Sequence, residues 1–526
     1  MSDTARRGVP VRFSILAGGT SASAVVDLAE KLIPLVEAHL TDEELRAREG
    51  LPVTDDYDWG YPEEDVDTSD TAKTNETADN TDSADNSETA EPSESSQSAD
   101  DENQASAPAP TPPSEAAAVP EKPNFKEVLV PIAPGLDPEE ARRDMIARLK
   151  GPLPAKTDVI MQTSGSQTKN GHLVALSAAA LVSSARSTTA RLGRPGRWIL
   201  ALPVHHIAGL QVLTRSILAG TKPVIVDTTN GFKPENLVRA VERATADPEI
   251  PAYISLVPTQ ISKILDTGGA PVEALAKLRA ILVGGSAFTP FLSDRAKASG
   301  WNVVETYGMT ETCGGCVYDG IPLVGTQVST VGEQVWITGT AMMEDYLEKP
   351  AGGSTESPWV QMGPRRWFKT SDTGRMEGSR LIIQGRTDDV INTGGVKVHA
   401  SAVEEASMAV AGVGEVCVVG LPDARWGELV TAVVVPGADI DIDLLAPMMG
   451  SPASLGVRGT GGATTEPDSL AARIRTNVTA ELGAAHAPRV IAVVQRLPKL
   501  DSGKVDRHEV SQIAVRELRA GRAWVR

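Results

Sequence analysis

The sequence predicts an α/β protein with a large N-terminal part built of α/β subdomains and a small, mobile α+β C-terminal domain. Three observations carry this expectation. From residue 158 onward, short apolar runs alternate with helix-like stretches, the pattern of a sheet with helical crossovers. At about residue 385 the pattern changes to a shorter set of strands and helices with its own apolar positions. The length of 526 residues exceeds one ordinary core and asks for two or three domains.

The elements follow from periodicity and caps. Residues 24–40 carry Val25, Val26, Leu28, Leu32, Leu35 and Val36 at helical spacing, with Pro34 placed to kink or split the helix. Residues 128–131 read as a strand and 138–149 as a helix capped by Asp137. The alternating series then gives a strand at 159–162, a helix at 177–192, a strand at 198–202 and a helix at 208–218. Strands at 223–226, 253–257 and 280–283 continue it. After Gly385 come a helix at 403–411, strands at 416–420 and 429–435, a Gly/Pro/Thr-rich loop at 450–467, a helix at 470–482 and a strand at 490–494.

Composition sets limits on partners. The formal charge is −19, but residues 55–115 hold nineteen acids against one base, Lys73, so the rest of the chain is nearly neutral. A nearly neutral folded part offers no basic face, and no nucleic-acid partner is expected. Residues 52–122 are rich in Asp, Glu, Ser, Thr and Pro and poor in large apolar side chains, which predicts a disordered acidic insertion. The chain therefore divides into 1–51 (start of the N-terminal domain), 52–122 (insertion), 123–385 (large domain) and 386–526 (small domain). No apolar run reaches the ~18 residues of a membrane span, and residues 1–19 lack the features of a secretory leader, so the expectation is a cytoplasmic protein.

Five polar stretches can carry chemistry. Thr163-Ser164-Gly165-Ser166 follows a strand and precedes a loop with Lys169; hydroxyls, backbone N–H groups and a lysine suit a polyphosphate. Tyr307-Gly308-Met309-Thr310-Glu311-Thr312 offers a ring for a base, a hydroxyl for a phosphate and a carboxylate for Mg²⁺. Thr370-Ser371-Asp372-Thr373-Gly374 places an Asp where it can take two ribose hydroxyls. Gly385-Arg386-Thr387-Asp388-Asp389 precedes Ile391-Asn392-Thr393-Gly394-Gly395, and Asp501-Ser502-Gly503-Lys504 puts a lysine on a glycine turn. Taken singly, each reads better as a capped turn, or for Lys504 as a surface lysine in a turn. Cys313 and Cys316 form a C-x-x-C with no second Cys or His pair at zinc spacing, and three cysteines make no disulfide framework.

In this order, over residues 158–515, the five stretches resemble the acyl-adenylate-forming superfamily of acyl-CoA synthetases, adenylation domains and luciferases. The resemblance implies two steps: ATP and a carboxylate give an acyl adenylate, then the small domain rotates and CoA attacks it. It implies that Thr163, Ser164, Gly165 and Ser166 line the phosphate loop, and that Gly284, Gly285 and Ser286 pass along adenine. Tyr307 beside Gly308 would stack on the base, Thr310 would meet the α-phosphate, and Glu311 would help bind Mg²⁺. Asp372 would hold the ribose with Arg386 nearby, and Asp388 would be the hinge. Lys504 would stabilise charge during adenylation, and Gly394 and Gly395 would face the CoA tunnel in the second state. The family loop usually reads T-S-G-S/T-T-G-x-P-K; here the second Gly, the Pro and the Lys are displaced or absent, and Lys169 lies two positions early.

Residues 201–215, with His205-His206, and 307–319, with Cys-Gly-Gly-Cys-Val-Tyr-Asp, look like those of the o-succinylbenzoate–CoA ligases of menaquinone biosynthesis. That substrate is an aromatic diacid, so Arg215 or His206 is expected near its second carboxylate, with Gly314 and Gly315 in the acyl-pocket loop. Cys313 and Cys316 then read as small loop residues. A CoA ligase for another small aryl or acyl acid, an enzyme loading a separate carrier protein, and a non-catalytic nucleotide-binding relative are the alternatives. Dimers are common among such relatives, so a homodimer is part of the expectation.

Overall fold

The computed structural model describes residues 11–42, 44, 125–163, 171–348, 357–437, 469–500 and 504–525. The chain divides into two units, Met1–Pro10 with Gly60–Lys126, and Val11–Trp59 with Glu127–Arg526. The features below lie in the second, the strand Lys126–Ile132 starting on the last residue of the first. The acidic insertion 52–122 and the loop 450–467 fall outside the described residues.

Among the described residues, four sheets organise the second unit. A seven-stranded sheet has a parallel centre in the order Val303–Met309, Ala280–Gly284, Ala252–Leu256, Arg197–Leu200, Val224–Ile225. Helices Ile207–Ala219, Asn236–Ala244, Pro258–Thr267 and Pro290–Ala298 fill its crossovers. Gly314–Tyr318 then pairs antiparallel with Val303–Met309, so the chain doubles back at the end of that strand. The central strands read as continuous apolar runs because helices cover both faces; Ala252–Leu256 is buried at all five positions.

A five-stranded sheet joins Val11–Ala17, Lys126–Ile132, Val159–Gln162, Leu173–Leu176 and Asp345–Tyr346. Helix Ala22–Glu37 packs with Val25, Leu28, Leu32 and Val36 fully buried, the spacing read from the sequence. Each such side chain contributes about 1.5–3 kcal/mol of burial. Pro34 sits inside this helix on its exposed side. Helix Pro138–Arg148 has Asp137 as its cap, accepting from the Glu140 N–H at 2.8 Å.

The third sheet, with five antiparallel strands, spans Thr326–Val331, Gln334–Gly339, Trp359–Met362, Arg365–Glu377 and Arg380–Arg386. The fourth, with six strands, runs from Val390–Thr393 to Ala523–Val525 and packs helices Ala400–Met408, Leu470–Leu482 and Arg507–Arg519. It has its own core of Val398, Val403, Val418, Ala432, Val434, Ile474 and Ile491. This is the small α+β domain beside the larger α/β part.

Candidate active site

Four loops leave the carboxyl ends of neighbouring parallel strands and open into one cleft. They begin at Ala201, Val257, Gly285 and Thr310, after the strands ending at Leu200, Leu256, Gly284 and Met309. Open parallel sheets bind ligands at this edge, where loops diverge and helix N-termini point outward. The cleft has a volume of about 3100 Å³. A pocket for one small molecule is roughly 300–1000 Å³, so this one has room for more than one substrate.

Asp372 organises one end. It lies opposite Arg386 in the ladder between Arg365–Glu377 and Arg380–Arg386, and cross-strand partners of opposite charge meet directly. Arg386 Nη1 is 3.2 Å from Asp372 Oδ1, and the Tyr307 hydroxyl donates to Asp372 Oδ2 at 2.7 Å. Burial pushes the Asp372 carboxyl up, while Arg386, the Tyr307 hydrogen bond and Lys504 hold it down. Burial and then Asp372 raise the Tyr307 phenol well above its usual range. A carboxylate has about four acceptor sites, so two remain for hydroxyls of a ligand. Beside it, a Cβ on Gly284 would fall 2.3 Å from Thr306 Oγ1, and Gly285 has φ +85°. Glycine is required at both, and the strip they form is free of side chains, which suits a flat ring.

Glu311 lies in a short 3₁₀ turn, Thr310–Thr312, and is 8 % exposed. The Tyr346 hydroxyl donates to its Oε1 at 2.6 Å, and burial followed by Glu311 raises the Tyr346 phenol far above its usual range. Among the described residues no group of three or more His, Cys, Asp or Glu side chains forms a metal cage. A single held carboxylate fits Mg²⁺, which keeps several waters and is shared with substrate phosphates. Lys504 reaches in from the small domain, its Cε 4.0 Å from where a Gly285 Cβ would stand. Burial and Arg386 push its ammonium down, opposed by Glu311 and Asp372. The lysine therefore lies in the field of the two carboxylates predicted for nucleotide and metal.

The other end is apolar with buried polar groups. Arg215, on helix Ile207–Ala219, is 5 % exposed and lines the cleft. Its guanidinium carbon stands 4.8 Å over the Trp198 ring, and Nη2 donates to the Tyr318 hydroxyl at 3.5 Å. Its Nε has no hydrogen-bond partner among the described residues, and burial lowers its pKa. Four residues earlier, Gln211 gives its Nε2 to the Leu181 carbonyl at 3.2 Å, while its buried Oε1 has no partner among the described residues. Gly314 has φ +99°, and a Cβ on Gly315 would meet the Tyr318 ring at 2.7 Å. Both glycines keep the pocket floor thin.

His206 is the N-cap of the same helix but makes no side-chain cap bond. Burial, then His205 and Lys504, drive its pKa down to about 3. It is therefore neutral at physiological pH, leaving Arg215 as the cation of the expected pair. The unfolded chain takes up this proton near pH 6.5, the folded chain only near pH 3. Stability held above pH 6.5 is thus lost as pH falls toward 3, by up to about 1.4 kcal/mol per pH unit. His206→Asn should flatten the fall in urea midpoint between pH 7 and pH 4.5; an unchanged slope would contradict this burial effect. Cys313, Cys316 and Cys417 are free and buried, and burial pushes the Cys316 thiol up to about 12. They are not poised as thiolates; Cys313 follows the turn Thr310–Thr312 and Cys316 lies in strand Gly314–Tyr318, so the expectation of two loop residues holds only for Cys313.

The cleft thus gathers Thr163, His206, Arg215, Gly284, Gly285, Ser286, Tyr307, Gly308, Thr310, Glu311, Gly314, Gly315, Asp372, Arg386 and Lys504. Ser164, Gly165, Ser166 and Lys169 lie outside the described residues. Thr163 closes the neck of that loop: its Oγ1 accepts from the His172 N–H at 2.8 Å, and its N–H donates to the His172 carbonyl at 2.8 Å. Gly394 and Gly395 form the turn between strands Val390–Thr393 and Val396–His399 and do not line the cleft. Asp388 lies in the turn Thr387–Asp389, 3.0 Å from Arg386 Nη2. Tyr346 and Gln211 are site residues that the sequence reading passes over. Tyr346 sits in a two-residue strand with no motif, and Gln211 reads as an ordinary helix position.

The profile of the AMP-binding enzyme family matches residues 61–354, and that of the AMP-binding enzyme C-terminal domain matches residues 402–504. A probable 2-succinylbenzoate–CoA ligase of Mycobacterium tuberculosis (strain CDC 1551 / Oshkosh) is 38 % identical over 336 residues, 63 % of this chain and 78 % of that protein. A 4-chlorobenzoate–CoA ligase of an Arthrobacter species is 30 % identical over 274 residues, about half of each chain (48 % and 51 %). The o-succinylbenzoate CoA synthetase of Bacillus subtilis, solved with its acyl-adenylate intermediate, superposes with a TM-score of 0.55 at 21 % identity. The match covers 74 % of this chain and 78 % of that one, and it shows a shared fold.

Proposed function

The chain belongs to the AMP-binding enzyme family, and on that premise we propose that it is an ATP-dependent, AMP-forming acid–CoA ligase acting on 2-succinylbenzoate in menaquinone biosynthesis. The observation that carries the choice of acid is Arg215, a buried guanidinium in the acyl end of the cleft with no carboxylate partner among the described residues. An unpaired buried charge is costly in the free protein. An acid with a second carboxylate compensates it; a monocarboxylic aryl acid does not.

The chemistry follows from where the groups stand. The substrate carboxylate attacks the α-phosphorus of ATP; pyrophosphate leaves and an acyl adenylate forms. Asp372 holds the ribose hydroxyls in a geometry braced by Tyr307 and Arg386. Lys504, Thr310 and Arg386 meet negative charge that builds on oxygen as the bond forms, a contribution largest in a site closed to water. Glu311 would hold Mg²⁺, which would supply charge neutralisation of the polyphosphate. The CoA thiol then attacks the acyl carbonyl and AMP leaves. Gly394 and Gly395 lie outside the cleft in this arrangement, so their part in the thioester step requires the small domain to turn about Asp388.

Arg215→Ala should raise the KM for 2-succinylbenzoate about tenfold to a hundredfold, the worth of a charged hydrogen bond, with kcat little changed. An unchanged KM would remove Arg215 from substrate recognition. The substrate assignment is tested by pyrophosphate release across a panel of aryl and alkyl acids. Turnover confined to 2-succinylbenzoate supports it; preference for a monocarboxylic benzoate keeps the ligase and discards the acid.

A further inference from the structure

Arg507 opens helix Arg507–Arg519, three residues after Lys504. Its guanidinium serves three elements at once. Nη2 donates to both carboxylate oxygens of Glu404, at 2.7 and 2.9 Å, on helix Ala400–Met408. Nη1 donates to the Val418 carbonyl at 2.7 Å, on strand Val413–Asp423. Nε stands 3.4 Å from Asp389 Oδ2, in the turn Thr387–Asp389.

That turn follows the last strand of the antiparallel sheet and precedes the first strand of the six-stranded sheet, and its two acids face opposite ways. Asp388 pairs with Arg386, which holds Asp372; Asp389 pairs with Arg507. Lys504 lies beside the Lys499–Val505 bridge, and its carbonyl accepts from the Leu500 N–H at 2.8 Å. Asp506, the single residue between that bridge and Arg507, gives its N–H to the Pro498 carbonyl at 2.9 Å and caps the helix through the Glu509 N–H at 3.1 Å. The chain from Lys504 to Arg507 is therefore held at every step, and a planar guanidinium fixes direction as well as distance.

We infer that Arg507 is a positioning residue: through Asp389, the residue that follows the turning point Asp388, it ties the Lys504 segment to the small-domain side of that turn, so that the lysine and Asp389 move as one body. The inference rests on the reading of Lys504 as the adenylation lysine. The Arg507 guanidinium lines the cleft but is engaged by Glu404, the Val418 carbonyl and Asp389; its effect passes through the placement of Lys504, where a shift of about 1 Å can cost about a hundredfold in rate.

The two half-reactions separate this role from a merely structural one. One is pyrophosphate release from ATP and 2-succinylbenzoate without CoA; the other is thioester formation from supplied acyl adenylate and CoA. Arg507→Ala and Asp389→Asn should lower the first about tenfold to a hundredfold and the second by less than about threefold. Asp389→Asn leaves the Glu404–Arg507 pair intact, so it reports on the tie in a folded protein. Arg507→Ala added to Lys504→Ala should slow the first half-reaction no further than Lys504→Ala alone, because one acts through the other. Equal losses in both half-reactions, additive losses in the double variant, or an unchanged first half-reaction would overturn the inference. Full pyrophosphate release by Lys504→Ala would instead overturn the reading of Lys504 beneath it.

Discussion

Lys504→Ala is expected to lower acid-dependent pyrophosphate release by about a hundredfold or more, the loss of a charge aimed at the developing transition state, while thioester formation from supplied acyl adenylate should stay within a few-fold. The lysine is buried in the cleft beside Gly285, in the field of Glu311 and Asp372. It is therefore placed for the step in which charge develops on phosphate oxygens. It is not placed to help a thiol, because the glycine turn Gly394-Gly395 lies elsewhere. Lys504→Arg should recover little, since a planar fork does not fill the position of a compact ammonium. Stopped-flow or coupled measurement of each half-reaction checks this; equal losses in both would contradict it.

Asp372→Ala has the second large effect. The carboxylate is 7 % exposed and anchors both the Tyr307 hydroxyl and Arg386. Its loss removes two expected hydrogen bonds to ribose and frees two groups that it positions. The expected result is a fall of about a hundredfold or more in kcat/KM for ATP, at about 1.5–3 kcal/mol per charged hydrogen bond. The KM for the acid should change far less, because Arg215 and Gln211 lie at the other end of the cleft. Stability should fall by about 1–3 kcal/mol from the Tyr307 phenol left unpaired, since Arg386 keeps Asp388. Asp372→Asn keeps the shape and should restore stability before it restores activity. An unchanged ATP dependence in either variant would remove Asp372 from nucleotide binding.

The parallel sheet was legible in the sequence because burial on both faces makes its strands continuous apolar runs, as in Ala280–Gly284 and Ala252–Leu256. The helices Ala178–Leu192 and Leu470–Leu482 were legible because Ser177 and Ser469 cap them and their apolar residues keep helical spacing. The antiparallel sheet was not. Strand Arg365–Glu377 carries Arg365, Arg366, Lys369, Asp372 and Arg375, and its buried face includes Thr370 and Asp372. A strand whose inner face serves a polar site loses the apolar alternation by which strands are read. The same cause hid Tyr346, whose importance is its hydroxyl's place against Glu311. Among the described residues, Thr163, Tyr307, Thr310, Glu311, Asp372, Arg386 and Lys504 of the motifs converge on the cleft; Gly394, Gly395 and Asp388 do not line it, and sequence spacing carries no information on how the small domain is turned.

The central claim is that this cleft joins 2-succinylbenzoate to CoA at the expense of ATP. The most direct measurement is mass-spectrometric detection of products from purified protein, ATP, Mg²⁺, CoA and 2-succinylbenzoate, with AMP and thioester quantified together. The account predicts one AMP for each 2-succinylbenzoyl-CoA, both abolished by omitting either the acid or Mg²⁺. AMP and pyrophosphate without thioester, or no turnover of this acid under any of these conditions, would contradict it.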